Sequence, residues 1–244
     1  MRVLIVGMGN IGRTLLEIGE FEKVYFYDTA DINVRGAIKL AEFFVPEDVD
    51  TVVECASSEA VKKFSFDILE AGKDFLVLST SAFADRSFRE AFFEKLRRST
   101  SRLIIPSGAV GGLDVIVALG KDMVEKVLLE TRKPSVSLGM EASEQRVVFE
   151  GNAENAALLF PKNMNVAATL GLVVGFEKVH VRLVVDPRLS YNVHILTVES
   201  KIGKYRFEME NFPSPSNPKT SAITAYSALK SLKDRCGESK ILIG

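Results

Sequence analysis

The chain predicts a Rossmann-type doubly wound parallel α/β sheet joined to a second α+β domain built on a mainly antiparallel sheet. Three observations carry that expectation. Short apolar runs alternate with amphipathic stretches through the N-terminal part, and a glycine-rich turn follows the first run directly. Beyond Pro106 the pattern changes to strands in which polar and apolar residues alternate.

The apolar runs are Val3–Val6, Val24–Tyr27, Thr51–Cys55, Phe75–Leu78 and Leu103–Ile105. Each is rich in β-branched or aromatic residues and too short for a buried helix, which suits strands covered on both faces. Between them lie Ile11–Ile18, Ser58–Ala71 and Ser87–Arg98. In the second, Val61, Phe64, Ile68 and Leu69 recur at three and four, lining one helix face, with Ser58 as N-cap and Gly72 as stop. Strand–helix alternation builds right-handed crossovers and a parallel sheet. The segment Thr29–Asp50 offers only Ile38–Phe44 as a short helix.

In the second part, Val127–Thr131, Arg146–Glu150, Val179–Asp186, Val193–Ser200 and Lys204–Glu210 read as strands. The alternation in Lys178–Leu183 suits a sheet open to solvent on one face. Glu154–Phe160 and Val166–Val174 read as helices packed on it. Phe212–Pro218 reads as a proline-rich linker, and Thr220–Leu232 as a helix returning to the first domain. The expected division is residues 1–106 plus 219–244 for the dinucleotide-binding domain and 107–218 for the second.

Composition narrows the function. Of 244 residues, 47% are hydrophobic and 26% charged, which excludes disorder and repetitive fibrous sequence. Lys+Arg 31 against Asp+Glu 32 leaves a net charge of -1, so no basic field invites nucleic acid or an anionic membrane. The charged run Glu94–Arg102 suits a solvated helix face. Apolar stretches break before the ~18–20 residues needed to span a bilayer. The N-terminus runs straight into a strand without a signal-peptide pattern, and the two cysteines imply no disulfide framework. The expectation is a cytoplasmic protein that binds a small molecule.

Gly7-Met8-Gly9-Asn10-Ile11-Gly12 is a G-x-G-x-x-G turn between a strand and a helix, and Asp28 follows Gly7 by 21 residues at the end of the second strand. That is the dinucleotide fingerprint in its proper context. Gly7 permits the tight turn, Gly9 the approach of backbone to a pyrophosphate, and Gly12 close helix–strand packing. Asn10 and Ile11 open a helix whose N–H groups and dipole attract phosphate. Asp28 accepts from ribose hydroxyls, which favours NAD, while Lys23 and Arg35 leave NADP open.

Candidates for chemistry are few. Of the two histidines, His180 lies in an alternating strand beside Arg182, as a packed or solvated strand residue would. His194 shares a strand face with Asn192, where it is either a general acid/base or a structural histidine. Lys162, Asn163 and Asn165 precede one helix, and Lys219 and Thr220 precede another. Both groups are ordinary caps or carboxylate sites. Cys55, Ala56, Ser79 and Thr80 stand at strand ends, where ligands of open α/β sheets bind, Cys55 as a small apolar residue rather than a nucleophile. No spacing of Cys, His and acid suggests a metal.

Gly7–Gly12, Glu54–Ser57, Ser79–Asp85, Ser107–Asp114, Phe160–Val166, Asn192-Val193-His194 and Asn217–Ser221, in this order, resemble the NAD(P)-dependent L-aspartate dehydrogenases along essentially the whole chain. The resemblance implies oxidation of L-aspartate to iminoaspartate, then oxaloacetate and ammonia, which feeds NAD biosynthesis. It implies that His194 is the acid/base, that Ala109 and Asn165 lie along the nicotinamide half of NAD, and that Asn192 lies beside the substrate. It also implies a homodimer. Another two-domain reductase, of the dihydrodipicolinate reductase or homoserine dehydrogenase kind, is the alternative enzyme; a non-catalytic NADH sensor is the alternative class.

Overall fold

A computed structural model describes residues 1–214, 217–235 and 237, with the side chains of 217–220 also outside the description. The chain divides into two compact units, one formed by Met1–Pro106 with the segment from Ala225 onward, the other by Ser107–Thr224.

The first unit carries β1 (Arg2–Val6), α1 (Asn10–Ile18), β2 (Lys23–Tyr27), β3 (Ile38–Lys39), β4 (Thr51–Glu54), α2 (Ser58–Glu70), β5 (Asp74–Val77), α3 (Arg86–Arg98) and β6 (Leu103–Ile104). Its six strands lie in the order β3-β2-β1-β4-β5-β6, all parallel. The direction of travel across the sheet reverses between β1 and β4, the switch point where such sheets bind ligands. The β-branched and aromatic runs are buried on both faces, as at Val3, Leu4, Ile5, Val52, Phe75 and Leu76. α2 buries Val61, Phe64, Ile68 and Leu69, and each such side chain contributes about 1.5–3 kcal/mol. Its N-cap is Ser57 rather than Ser58: the Ser57 hydroxyl accepts from the Ala60 N–H at 3.2 Å.

The expected helix over Ile38–Phe44 does not form. Ile38 and Lys39 pair with Tyr25 and Phe26 as a sixth strand, and the Leu40 N–H donates to the Phe26 carbonyl at 2.8 Å. Phe43 stacks on Phe64 with centroids 3.9 Å apart and meets the edge of Tyr27. Packing against α2 and β2 therefore overrides local helix propensity.

The second unit carries α4 (Leu113–Met123), β7 (Val124–Lys133), α5 (Ser135–Leu138), β8 (Arg146–Asn152), α6 (Ala153–Leu159), α7 (Asn165–Val174), β9 (Val179–Val185), β10 (Asn192–Ser200), β11 (Gly203–Asn211), β12 (Pro213–Ser214) and β13 (Asn217–Ser221). The main sheet runs β11-β10-β7-β9-β8 and is mixed: β7 and β9 are parallel, the other pairs antiparallel. α4, α6 and α7 pack on one face, over buried Val127, Leu129, Val181, Leu183, Leu196 and Val198. The other face carries Glu130, Arg132, Glu150, His180 and Arg182 in an ion-pair lattice. His180 thus stands on the polar face, bonded to Glu150 at 3.3 Å.

Two further expectations fail here. Phe212–Pro218 is not an unstructured linker, because β12 and β13 form a two-stranded ribbon pairing Pro213 with Ser221 and Ser214 with Asn217. A ribbon with no further neighbour tolerates proline, which lacks the ladder N–H. The last helix, α8 (Ile223–Arg235), accordingly starts later than Thr220. In the first unit α8 buries Ala228, Leu229 and Leu232 against Leu15, Val53 and Leu76. Among the described residues, no helix is long and apolar enough to cross a membrane.

Candidate active site

The glycine turn is shaped by contacts that only glycine permits. Gly7 has φ +92, and a Cβ there would stand 2.7 Å from the Ala56 Cβ. A Cβ at Gly12 would collide with the Gly7 carbonyl and meet Ile5 at 3.3 Å. At Gly9 a Cβ would meet nothing within 4 Å, and Gly9 is the N-cap of α1 with no side chain closing the helix end. Open space over uncapped helical N–H groups fits a pyrophosphate. Asp28 receives the Met8 N–H at 2.7 Å on one oxygen and the Ala30 N–H at 2.8 Å on the other. A carboxylate has about four acceptor sites, so capacity for ribose hydroxyls remains. The residues present therefore fit a dinucleotide.

Beside the turn lies a motif residue to which the sequence assigns no role of its own. Glu54, at the end of β4, is buried and receives the Ala56 N–H at 2.7 Å, the Ser79 N–H at 2.9 Å and the Ser79 hydroxyl at 2.8 Å. It ties together the strand ends of β4 and β5, where Cys55, Ala56, Ser79 and Thr80 sit. Burial pushes the Glu54 carboxyl above its ordinary range, against those three donors. Burial, with Glu54 adjacent, pushes the Cys55 thiol well above its ordinary value, so no thiolate forms there.

In the second unit the polar groups gather on the helix-covered sheet face. Thr131 of β7 pairs with His194 of β10, and their hydroxyl and Nδ1 are hydrogen-bonded at 3.0 Å. His194 is 3% exposed, and burial together with the positive Lys133 lowers it to about 3. The imidazole is therefore neutral at neutral pH, with Nε2 left for a partner. Asn192, on the same face, donates to the Ser221 hydroxyl at 3.4 Å, while its buried Oδ1 has no partner among the described residues. Neighbouring β11 sets Met209 beside His194 and Asn211 beside Asn192. The Asn211 amide donates to the Ala109 carbonyl at 3.3 Å, which draws the Ala109 loop over this row.

The remaining expected residues are placed less centrally. Lys162 is exposed and Asn163 half-buried in the turn before α7, which Asn165 opens. Lys219 and Thr220 lie on β13 rather than at a helix N-terminus, so the dipole argument for them falls. Their side chains lie outside the described residues. The sequence expectation ends this strand at Thr131 and so leaves out Lys133, which the structure places at its end. The signal was present: Val127, Leu129, Thr131 and Lys133 alternate onto one buried face, and a lysine in such a row is unusual.

The chain is similar to known proteins along its whole length. A family model described as aspartate dehydrogenase, C-terminal, matches residues 114–235, and one described as homoserine dehydrogenase, NAD binding domain, matches residues 29–106. An L-aspartate dehydrogenase of Thermotoga maritima is 54% identical over 244 residues, all of both chains. One of Archaeoglobus fulgidus is 40% identical over 238 residues, 96% of this chain and 97% of the relative. The crystal structure of aspartate dehydrogenase from Thermotoga maritima superposes with a TM-score of 0.90 at 51% identity, covering 100% of this chain and 99% of that one. The chain belongs to the L-aspartate dehydrogenase family.

Proposed function

We propose that the protein oxidises L-aspartate to iminoaspartate with NAD, the imine then hydrolysing to oxaloacetate and ammonia. The observation that carries this reading is full-length similarity to L-aspartate dehydrogenases, joined to a buried, neutral histidine beside an unmatched amide oxygen. When bound, NAD supplies the hydride acceptor. Gly7, Gly9, Asn10, Ile11 and Gly12 would hold its pyrophosphate and Asp28 its adenosine ribose. Cys55, Ala56, Ser79 and Thr80 would border it at the adjoining strand ends, and Ala109 and Asn165 would take its nicotinamide half.

The chain's own groups handle protons and position. A neutral imidazole accepts a proton, so His194 Nε2 takes one from the substrate ammonium, leaving the lone pair that drives C–N double-bond formation. The Thr131 hydroxyl holds the ring through Nδ1. The Asn192 Oδ1 accepts from the same ammonium. Lys162, Asn163, Lys219 and Thr220 are proposed to assist the substrate carboxylates. We further propose acceptance of NADP, a homodimer, a cytoplasmic location and delivery of iminoaspartate to NAD biosynthesis.

The test is reduced-nicotinamide absorbance on adding L-aspartate and NAD, with D-aspartate, L-glutamate and L-alanine as controls. A rise confined to L-aspartate, with ammonia released in step, is expected; no rise despite NADH binding would sink the reading. Repeating the assay with NADP tests the cofactor range, and sedimentation at working concentration tests the dimer.

A further inference from the structure

Lys133 presents a problem that folding alone does not explain. It is 5% exposed on the face that buries Val127 and Leu129, and among the described residues no side chain bonds or pairs with its ammonium. The one acid tied to it through the backbone is Asp186, whose N–H donates to the Lys133 carbonyl at 2.9 Å. The Asp186 carboxylate is committed to Arg188, at 3.0 Å and 2.9 Å. A buried cation without a counter-ion is costly and persists where something outside the chain supplies the anion. Burial lowers Lys133 to about 8, so it still carries charge at neutral pH.

Its surroundings identify that anion. Lys133 follows Thr131 by two on β7, just beyond the Arg132–Val193 pair that ends the β7–β10 register on the Asn192 side. Its charge reaches His194. Immediately after it, the turn of α5 holds the hydroxyls of Ser135 and Ser137, both buried without a partner among the described residues. One cation, spare hydroxyl donors, an amide oxygen and a neutral imidazole are the complement of an amino acid with an acidic group.

We propose that the Lys133 ammonium binds a carboxylate of the substrate, with the hydroxyls of Ser135 and Ser137 as accessory donors. This rests on the reading above that the substrate is a 2-amino dicarboxylic acid. A carboxylate drawn to Lys133 also offsets the positive charge beside the imidazole. Substrate binding thereby favours proton acceptance by His194, so the reactive state of the base is assembled only with substrate in place.

The decisive variant is Lys133→Met, which keeps length and removes charge. The expected result is a rise of about 10²-fold or more in KM for L-aspartate and in the inhibition constant of succinate. NADH affinity, read by fluorescence titration, stays at the wild-type value. Tm holds or rises, because an uncompensated buried charge is gone. Ser135→Ala and Ser137→Ala each raise the same KM several-fold, as loss of one neutral hydrogen bond does. An unchanged KM and succinate constant in Lys133→Met would overturn the proposal, as would a falling Tm with weakened NADH binding, the mark of a structural lysine. Succinate titrated into the wild-type protein with NADH separates the two readings. Succinate binding that Lys133→Met abolishes, without wild-type turnover of L-aspartate, would retain the carboxylate site and remove the dehydrogenase reading. No succinate binding and no turnover would remove both.

Discussion

The two units build their candidate sites from different materials. In the first, the working parts are backbone: uncapped N–H groups of α1, a left-handed Gly7, and the space that Gly9 leaves open. In the second they are side chains, with Thr131, Lys133, Asn192 and His194 set on one sheet face by the pairing of β7 with β10. A backbone site is altered mostly by touching the fold that shapes it, except where a glycine such as Gly9 leaves open space. A side-chain site can lose its chemistry while the sheet beneath it stands, because the ladder bonds do not involve the reacting atoms. The sharpest test of that contrast is His194→Ala, expected to lower turnover ~10²–10⁴-fold, the usual span for a lost acid/base. NADH affinity in the same protein should stay at the wild-type value. A parallel loss of both would show that the histidine supports structure.

The glycines test the other half. Gly12→Ala drives a Cβ into the Gly7 carbonyl and Ile5, a collision that backbone must absorb. Overpacking of this kind costs about 1–3 kcal/mol, so both Tm and NADH affinity should fall. Gly9→Ala meets nothing within 4 Å in the free chain, so Tm should hold while the NADH dissociation constant rises at least tenfold. Equal thermal losses in the two variants would break the distinction between a glycine kept for packing and one kept for a ligand.

Acid stability gives a smaller, continuous effect. His194 titrates near 3 in the folded chain, and its ordinary value of 6.5 applies once the chain unfolds. Between those values the unfolded state binds the extra proton, so stability rises with pH across the interval. The contribution is complete above 6.5 and lost as pH falls toward 3. Among the described residues, the polar groups that act on the ring are the Thr131 hydroxyl and the Lys133 ammonium; the latter keeps its charge throughout this range. Melting curves from about pH 4 to 7 should fall more steeply for the wild type than for His194→Gln. Coincident slopes would mean that the imidazole is not the group being held neutral.

The same division explains what sequence could disclose. The glycine turn and Asp28 are local or nearly so, and each residue type states its own physical reason. The Rossmann strands are likewise legible because burial on both faces leaves short apolar runs. Lys133 becomes visible only through register, since the pairing of Thr131 with His194 and of Arg132 with Val193 joins strands far apart in sequence. Glu54 was hidden for a related reason. A carboxylate at a strand end looks solvated until the Ser79 donors, brought by the next strand, show it buried. The Phe43–Phe64 stack that suppresses the helix at Ile38–Phe44 is another long-range contact with no local trace.

The weakest effect separates fold from site altogether. Ser57 follows Ala56 directly, close to the Glu54 bracket, yet its hydroxyl serves the N-terminus of α2, accepting from the Ala60 N–H at 3.2 Å and bonding the Glu59 side chain. Removing an N-cap costs about 1 kcal/mol, whereas α2 also buries Val61, Phe64, Ile68 and Leu69. Ser57→Ala should therefore lower Tm by a few degrees and leave the fold intact. Because the Ala56 N–H is held by Glu54 rather than by the cap, KM for L-aspartate and NADH affinity should stay within twofold of wild type. A tenfold change in NADH affinity would mean that α2 and the Glu54 bracket move as one body, and that the backbone site extends a full helix beyond the glycine turn.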